Sequence, residues 1–201
     1  MIVSMGDADI PELTETERAG WTALGSSYRA LAEAAAKGDL TEKDVGATLA
    51  QTGQIELDPA RFTDALHVPE DAGAYAEALE GLLRRIPNGW GRWISCDAGW
   101  YPLIVDLDAA MAAIWPTYVV QQVKEKFGSL RFYFDAEGLP LEDPRHRRLD
   151  ALLRDAEERS LRTCEVCGAD AVLCKRRGWL KTLCAGCRGL EHNRGYVPVA
   201  G

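Results

Sequence analysis

The polar and apolar positions of the N-terminal segment predict a pair of helices followed by a short helical turn. Thr14-Glu-Thr-Glu17 has the capping-box pattern of a helix start, and Gly38 is placed to end that helix. Apolar side chains recur between them at helical spacing, at Trp21, Leu24, Tyr28 and Leu31. A second helix starts at Thr41 and ends near Gly53, and residues 59–66 predict the short turn.

Further helical patterns lie on both sides of a strand-like segment. Residues 75–86 predict a helix that begins after Pro69 and stops at Pro87-Asn-Gly89. Residues 101–115 predict another helix, which Pro116 ends. A last helix is indicated by the apolar positions Leu149, Leu152, Leu153 and Ala156.

Residues 118–134 predict a β-hairpin with Gly128-Ser129 as a two-residue type II′ loop. This register places three pairs of residues opposite one another: Phe127 and Leu130, Glu125 and Phe132, and Val123 and Phe134. Glu125 then lies on the apolar face and needs a partner such as Arg131 or Arg92, unless it marks a bulge or an edge.

These elements predict an α+β protein with three regions. Residues 1–89 form an acidic helical region, and residues 90–144 form a core of one helix and the hairpin. Residues 145–201 contain a helix and a zinc ribbon, as the cysteine pattern indicates.

Two C-x2-C pairs are the strongest chemical signal. Cys164-Glu-Val-Cys167 and Cys184-Ala-Gly-Cys187 are separated by 16 residues, which fits a tetrahedral structural zinc site with four thiolate ligands. A disulfide framework or a redox motif is less favoured, because the sequence shows no secretion signal and the first pair follows a helix instead of opening a βαβ unit. Cys174 and His192 are alternative ligands, but four thiolates already complete such a site.

Composition and charge describe a globular protein with an uneven charge distribution. Hydrophobic residues make up 47% and charged residues 27% of the chain, whose net charge is −8. Residues 145–201 have 12 Lys and Arg against 7 Asp and Glu, whereas residues 1–144 have 11 against 24. The acidic part would steer towards a basic protein partner, and the basic part towards phosphate; the alternative is that both are solvated surface. Without an apolar run long enough for a membrane span or a signal peptide, we expect a cytoplasmic location.

The sequence contains none of the common catalytic signatures, so we expect a protein that is not an enzyme. Cys96 has no histidine nearby to activate it, and burial among the tryptophans is the simpler interpretation. Asp106 and Asp108 are two residues apart on a predicted helix and therefore do not share a face. An enzyme that uses Cys96 or a carboxylate is the third hypothesis.

The basic segment between the cysteine pairs is the main candidate for partner contact. Cations beside an aromatic ring can bind nucleic acid through phosphate contacts and stacking. The alternative is that these cations offset the negative charge of a zinc–thiolate centre or contact a protein. The candidate contact residues are Lys175, Arg176, Arg177, Trp179 and Lys181.

Three sequence blocks resemble a family of small uncharacterised proteins of bacteria and phages. They are Val119-Val-Gln-Gln-Val-Lys-Glu-Lys-Phe-Gly-Ser-Leu-Arg-Phe-Tyr133, Cys164-Glu-Val-Cys-Gly168 and Gly178-Trp-Leu-Lys-Thr-Leu-Cys184. The resemblance spans roughly residues 97–190 and implies a prokaryotic origin and a compact zinc-bearing core. It implies no activity and no catalytic residues.

These observations predict a non-catalytic binding protein. The first hypothesis is an immunity or antitoxin-like inhibitor, in which the acidic, aromatic-rich body covers a basic toxin. The alternative is a bacterial or phage regulator that binds nucleic acid through the zinc loop. The sequence leaves the oligomeric state and the partner open.

Overall fold

The computed structural model of the protein describes residues 10–53 and 58–199, without the side chains of residues 36 and 37. Its helices and strands confirm the α+β class. Contacts divide the chain into two compact units, Met1–Ala65 and Leu66–Gly201. No helix in the described ranges has the length and apolar character required to cross a membrane.

The described part of the first unit contains three helices, α1 (Glu15–Lys37), α2 (Glu42–Thr52) and α3 (Pro59–Asp64). The predicted capping box is present at α1, because Thr14 and Glu17 each bond the other's backbone N–H, and Gly38 ends α1 with a φ of 83°. The Ser27 hydroxyl on α1 donates to Gln51 of α2 at 2.7 Å. Trp21 and Phe62 pack with ring centroids 4.1 Å apart, which joins α1 to α3.

The second unit contains four helices and two small sheets among its described residues. The helices are α4 (Ala76–Leu83), α5 (Tyr101–Ile114), α6 (Arg145–Ser160) and α7 (Ala185–Arg188). The first sheet has the order β1 (Ile94–Ser95), β2 (Val119–Lys126), β3 (Ser129–Asp135). The second has the order β5 (Trp179–Leu183), β4 (Val172–Arg176), β6 (Val197–Pro198).

The main core lies between the helices and the first sheet. Helix α5 contacts α4 and α6, and α6 also contacts β3. Helix α4, which the sequence analysis assigned to the acidic helical region, contributes Leu79, Leu82 and Leu83 to this core. Trp100, Tyr118 and Phe132 are the largest side chains that fill its centre. Burial of such aromatic and aliphatic surface is the main stabilising contribution in a unit of this size.

The predicted register of the β2–β3 hairpin is wrong by two residues. Glu125 lies opposite Leu130 and Val123 opposite Phe132, so that the two-residue loop is Phe127-Gly128. Both loop residues have positive φ, 59° and 77°, as a type I′ turn requires. The carboxylate of Glu125 accepts the N–H of Gly128, which supplies the partner that this half-buried side chain needs. The only local signal was Gly128, since phenylalanine is uncommon at positive φ.

Candidate metal centre and adjoining groove

The first cysteine pair lies in a tight turn after α6. The N–H of Cys164 donates to the carbonyl of Ala169 at 2.7 Å, and the N–H of Gly168 donates to the carbonyl of Cys164 at 2.8 Å. Gly168 has a φ of 77°, which glycine adopts without steric cost. The turn therefore holds Cys164 in the interior and leaves Cys167 at the surface.

The second cysteine pair lies at the start of the short helix α7. Cys184 is the N-cap residue, and its sulfur accepts the N–H of Cys187 at 3.2 Å. This hydrogen bond favours the thiolate and lowers the pKa of Cys184 to about 7. The amide of Asn193 donates to the carbonyl of Cys187 at 3.0 Å and fixes the end of the turn.

The two turns bring the four sulfurs together, as predicted. The ligand atoms of Cys164, Cys167, Cys184 and Cys187 all lie within 4.8 Å of one another, and the sulfurs of Cys167 and Cys184 are 3.6 Å apart. A tetrahedral site with metal–sulfur bonds of about 2.3 Å has sulfur–sulfur distances of about 3.8 Å. The cluster therefore has the donors and the spacing to hold a metal ion.

The alternative ligands do not join this cluster. Cys174 is buried in β4, where its sulfur contacts the carbonyl of Val172 at 3.4 Å. His192 lies in a short 3-10 turn at residues 191–193. Within the part of the chain that the structure describes, the four-sulfur cluster is the single group of metal-binding side chains.

The four-cysteine module, which we define as residues 163–199, packs against the core at the start of α5. The N–H of Gly99 donates to the carbonyl of Glu165 at 2.7 Å, and the indole N–H of Trp100 donates to the carbonyl of Thr163 at 2.8 Å. A Cβ atom at residue 99 would lie 2.5 Å from the backbone nitrogen of Gly168. This close approach requires glycine at position 99. The C-x2-C motifs give no indication of that requirement, because Gly99 lies far from them in the sequence.

The module also contacts the β2–β3 hairpin at its loop. The hydroxyl of Thr182 in β5 donates to the carbonyl of Gly128 at 2.6 Å. The side chain of Leu173 in β4 occupies the space that a Cβ at Gly128 would need. The two hairpins therefore lie side by side, with their loops at neighbouring positions.

A charge cluster around the buried carboxylate of Glu165 explains the position of Lys181. Its ammonium lies 2.9 Å from the carboxylate of Asp97 and 3.6 Å from that of Glu165. Glu165 is only 2% exposed, and this burial raises the pKa of its carboxyl to about 7. Lys181 thus pairs with one buried and one half-exposed carboxylate, and the pairing with Asp97 depends on residues distant in sequence.

The other four predicted contact residues divide between the interior of the module and its surface. The guanidinium of Arg176 stacks 4.4 Å from the ring centroid of Tyr196 and donates to the carbonyls of His192 and Arg194. Exposed positions are occupied by Lys175, Arg177 and Trp179.

A groove of about 520 Å³ lies between the loops of the two hairpins. Trp179 is 75% exposed and Phe127 is 66% exposed, so two aromatic rings line one groove from separate hairpins. The basic segment of the sequence indicates Trp179 as a contact residue, whereas Phe127 falls within a predicted strand and has no such signal. We call this surface the tip groove; its lining residues are Glu125, Lys126, Phe127, Gly178, Trp179 and Leu180.

Comparisons with family models, with curated proteins and with solved structures find no match to this chain. What the protein does must therefore be argued from the chemistry of its own residues.

Proposed function

We propose that this protein is a non-catalytic binding protein that contacts nucleic acid through the tip groove. The observation that supports this proposal is the pair of exposed rings, Phe127 and Trp179, in one groove that Lys126 also lines. Lys126 lines the groove, and Lys175 and Arg177 are exposed on the second hairpin. Phosphate contacts by cations and stacking on aromatic rings are the two general means of binding nucleic acid strands.

The proposed ion in the four-sulfur cluster is structural Zn²⁺. Thiolate donors select soft and borderline metals, and four thiolates in tetrahedral arrangement are typical of structural zinc. Such a site has no open position for a substrate or a water, which argues for a role in folding. The bound ion would link the two cysteine turns and hold β4 and β5 next to the first hairpin.

The candidate catalytic residues support binding over catalysis. Burial raises the pKa of the Cys96 thiol, which disfavours the thiolate that a nucleophile needs. The carboxylate of Asp108 accepts the hydroxyl of Tyr118 and lies 3.0 Å from the guanidinium of Arg85. The Cys96 thiol is therefore held in its unreactive, protonated form, and the Asp108 carboxylate is occupied by contacts within the fold.

A binding titration at two salt concentrations tests the proposed function. Labelled mixed-sequence DNA and RNA should bind the full-length, zinc-containing protein at low salt, and the affinity should fall steeply as salt rises. Lys126→Glu combined with Lys175→Glu should abolish binding. Arg147→Glu combined with Arg148→Glu is the matched control, because it makes the same charge change on the exposed surface of α6. Absence of binding at low salt would refute the proposal.

The second candidate function is inhibition of a basic protein. The acidic composition and the exposed apolar side chains of the first unit favour it. Residues 1–65 have 5 Lys and Arg against 12 Asp and Glu. Tyr28 and Leu49 are 49% and 61% exposed there, and Trp21 is also at the surface. Exposed aromatic and apolar side chains surrounded by acidic residues are suited to bind a basic surface, as an immunity protein or antitoxin would.

Co-expression with a neighbouring toxic gene tests this second candidate. The wild-type chain should protect the host cell, and Tyr28→Ala with Leu49→Ala should not. Trp90→Ala is the control, since it removes an exposed ring from the other unit. If the Tyr28→Ala, Leu49→Ala variant protects the cell as well as the Trp90→Ala control does, an inhibitory surface on α1 and α2 is contradicted.

A further inference from the structure

We propose that the tip groove is selective for single-stranded nucleic acid, whose unpaired bases stack on Phe127 and Trp179. This inference rests on the proposed function and specifies its ligand. Three conditions follow from it. The rings must be accessible, they must not be needed for folding, and cations must lie near them to contact phosphate.

The two rings are the most accessible aromatic surfaces in the described chain. Among its Phe, Tyr and Trp side chains, Trp179 and Phe127 have the largest exposed fractions. A stacked base would remove apolar ring surface from water, which is favourable. In a duplex the base faces already stack on one another, so only unpaired bases offer a face to these rings.

The backbone at Phe127 indicates that its ring is not there to stabilise the fold. The residue has a φ of 59° at the first position of a type I′ loop, where Asn, Asp and Gly are the favoured residues. The ring is 66% exposed and therefore contributes little to the core. Unfavourable backbone conformations of this kind are concentrated at ligand sites, where the side chain has a use outside folding.

The charged groups around the rings suit a phosphate backbone. The ammonium of Lys126 lies 5.3 Å from the ring centroid of Phe127, and that of Lys124 lies 5.4 Å from the ring of Tyr133 on the same hairpin. The carboxylate that lines the groove, Glu125, accepts the N–H of Gly128. The first hairpin thus has two lysines beside exposed rings. These cations would attract the phosphates that flank a stacked base and would repel a basic protein.

The groove is large enough for such a ligand. Its volume of about 520 Å³ is within the range of roughly 300–1,000 Å³ found for small-ligand sites. A nucleotide is a ligand of that class.

Fluorescence anisotropy with matched oligonucleotides tests the inference. The probes are a labelled mixed-sequence strand of about 16 nucleotides, the upper end of the site size for small binding domains, and the same strand in a duplex. The full-length, zinc-containing protein should bind the single strand more tightly. Trp179→Ala and Phe127→Asn should each weaken that binding by roughly five- to 150-fold.

Three variants separate stacking from other effects. Trp179→Phe keeps an aromatic ring and should retain most of the affinity, whereas Trp90→Ala removes an exposed ring outside the groove and should change nothing. Phe127→Asn suits the positive φ of its loop, so a loss of binding there cannot be assigned to misfolding. Zinc content and the thermal midpoint of every variant confirm that it is folded.

The outcomes distinguish the inference from the proposed function. Equal affinity for strand and duplex, with both ring variants binding like wild type, would overturn single-strand selectivity and leave phosphate binding intact. Absence of binding to either probe by folded wild-type protein would overturn both. Binding of a basic protein that depends on Phe127 and Trp179, without oligonucleotide binding, would assign the groove to a protein partner and also overturn both.

Discussion

The two β-hairpins of the second unit have the same loop but different sources of stability. Each has a two-residue loop with positive φ at both positions, Phe127-Gly128 in the first and Arg177-Gly178 in the second. The first hairpin packs Val120, Val123 and Phe132 into the large core. A short hairpin is marginal in water alone, so this apolar packing is what holds it.

The second hairpin belongs to a cluster with few apolar side chains. Its buried residues are Cys164, Cys174, Leu183, Cys187 and Tyr196. Two of these cysteines are in the four-sulfur cluster. We therefore propose that a metal ion in the four-sulfur cluster supplies, for the second hairpin, the stabilisation that hydrophobic burial gives the first.

Removal of one thiolate should have the largest effect, and it should destabilise the second hairpin while the first stays folded. Cys184→Ser removes a proposed zinc ligand, and zinc binding to structural sites of this kind is worth roughly 10–16 kcal/mol apparent at neutral pH. Metal analysis should show loss of zinc, and hydrogen exchange should show loss of protection in β4 and β5 with β2 and β3 retained. Cys96→Ser is the control and should keep its zinc. A Cys184→Ser protein with normal zinc content would refute the ligand assignment.

Truncation of a buried ring of the first hairpin should lower the stability of the core and leave zinc binding unchanged. Phe132→Ala should destabilise the second unit by roughly 3–5 kcal/mol, because Phe132 is almost fully buried. Denaturant unfolding measures this loss, and zinc content of the folded fraction should remain that of wild type. Loss of zinc without a change in the unfolding midpoint would show that Phe132 supports the metal site and not the core, contrary to the proposed roles.

The contact between the core and the first cysteine turn should be sensitive to one methyl group. Gly99→Ala would place a Cβ 2.5 Å from the nitrogen of Gly168 and 2.6 Å from the carbonyl oxygen of Glu165, so backbone must shift. We expect a loss of roughly 1–3 kcal/mol in the free energy of unfolding. Gly81→Ala, where no atom lies within 4 Å, is the control and should be neutral or stabilising by up to about 1 kcal/mol. Equal effects of the two substitutions would show that the turn does not pack on α5 as described.

The smallest effects should come from the loops, and they should have the same sign in both hairpins. Phe127→Asn and Arg177→Asn each place a residue that tolerates positive φ in a type I′ turn, so each should stabilise by about 1 kcal/mol or less. The midpoint of denaturant unfolding measures this gain. A loss of stability for Phe127→Asn would show that the ring supports the fold, which would weaken the argument for a binding role.

Local signals in the sequence were sufficient for the helices and the cysteine turns. The capping box at Thr14 and the spacing of the two C-x2-C pairs depend on residues a few positions apart, and the structure confirms the helix start and the four-sulfur cluster. The hairpin register was wrong because the loop places Phe127 at positive φ, a conformation that the local preference of phenylalanine does not predict. The ion pairs of Lys181 were missed because its partner Asp97 is 84 residues away in the sequence.

The most direct test of the account is a chelation experiment on the native protein, with zinc content and hydrogen exchange measured in the same samples. We expect one zinc per chain in freshly isolated protein. As zinc is removed, the amides of β4 and β5 should lose protection, while those of β2 and β3 keep it. Absence of zinc in the isolated protein, or full protection of β4 and β5 after zinc removal, would contradict the claim that a metal ion holds the second hairpin beside the first.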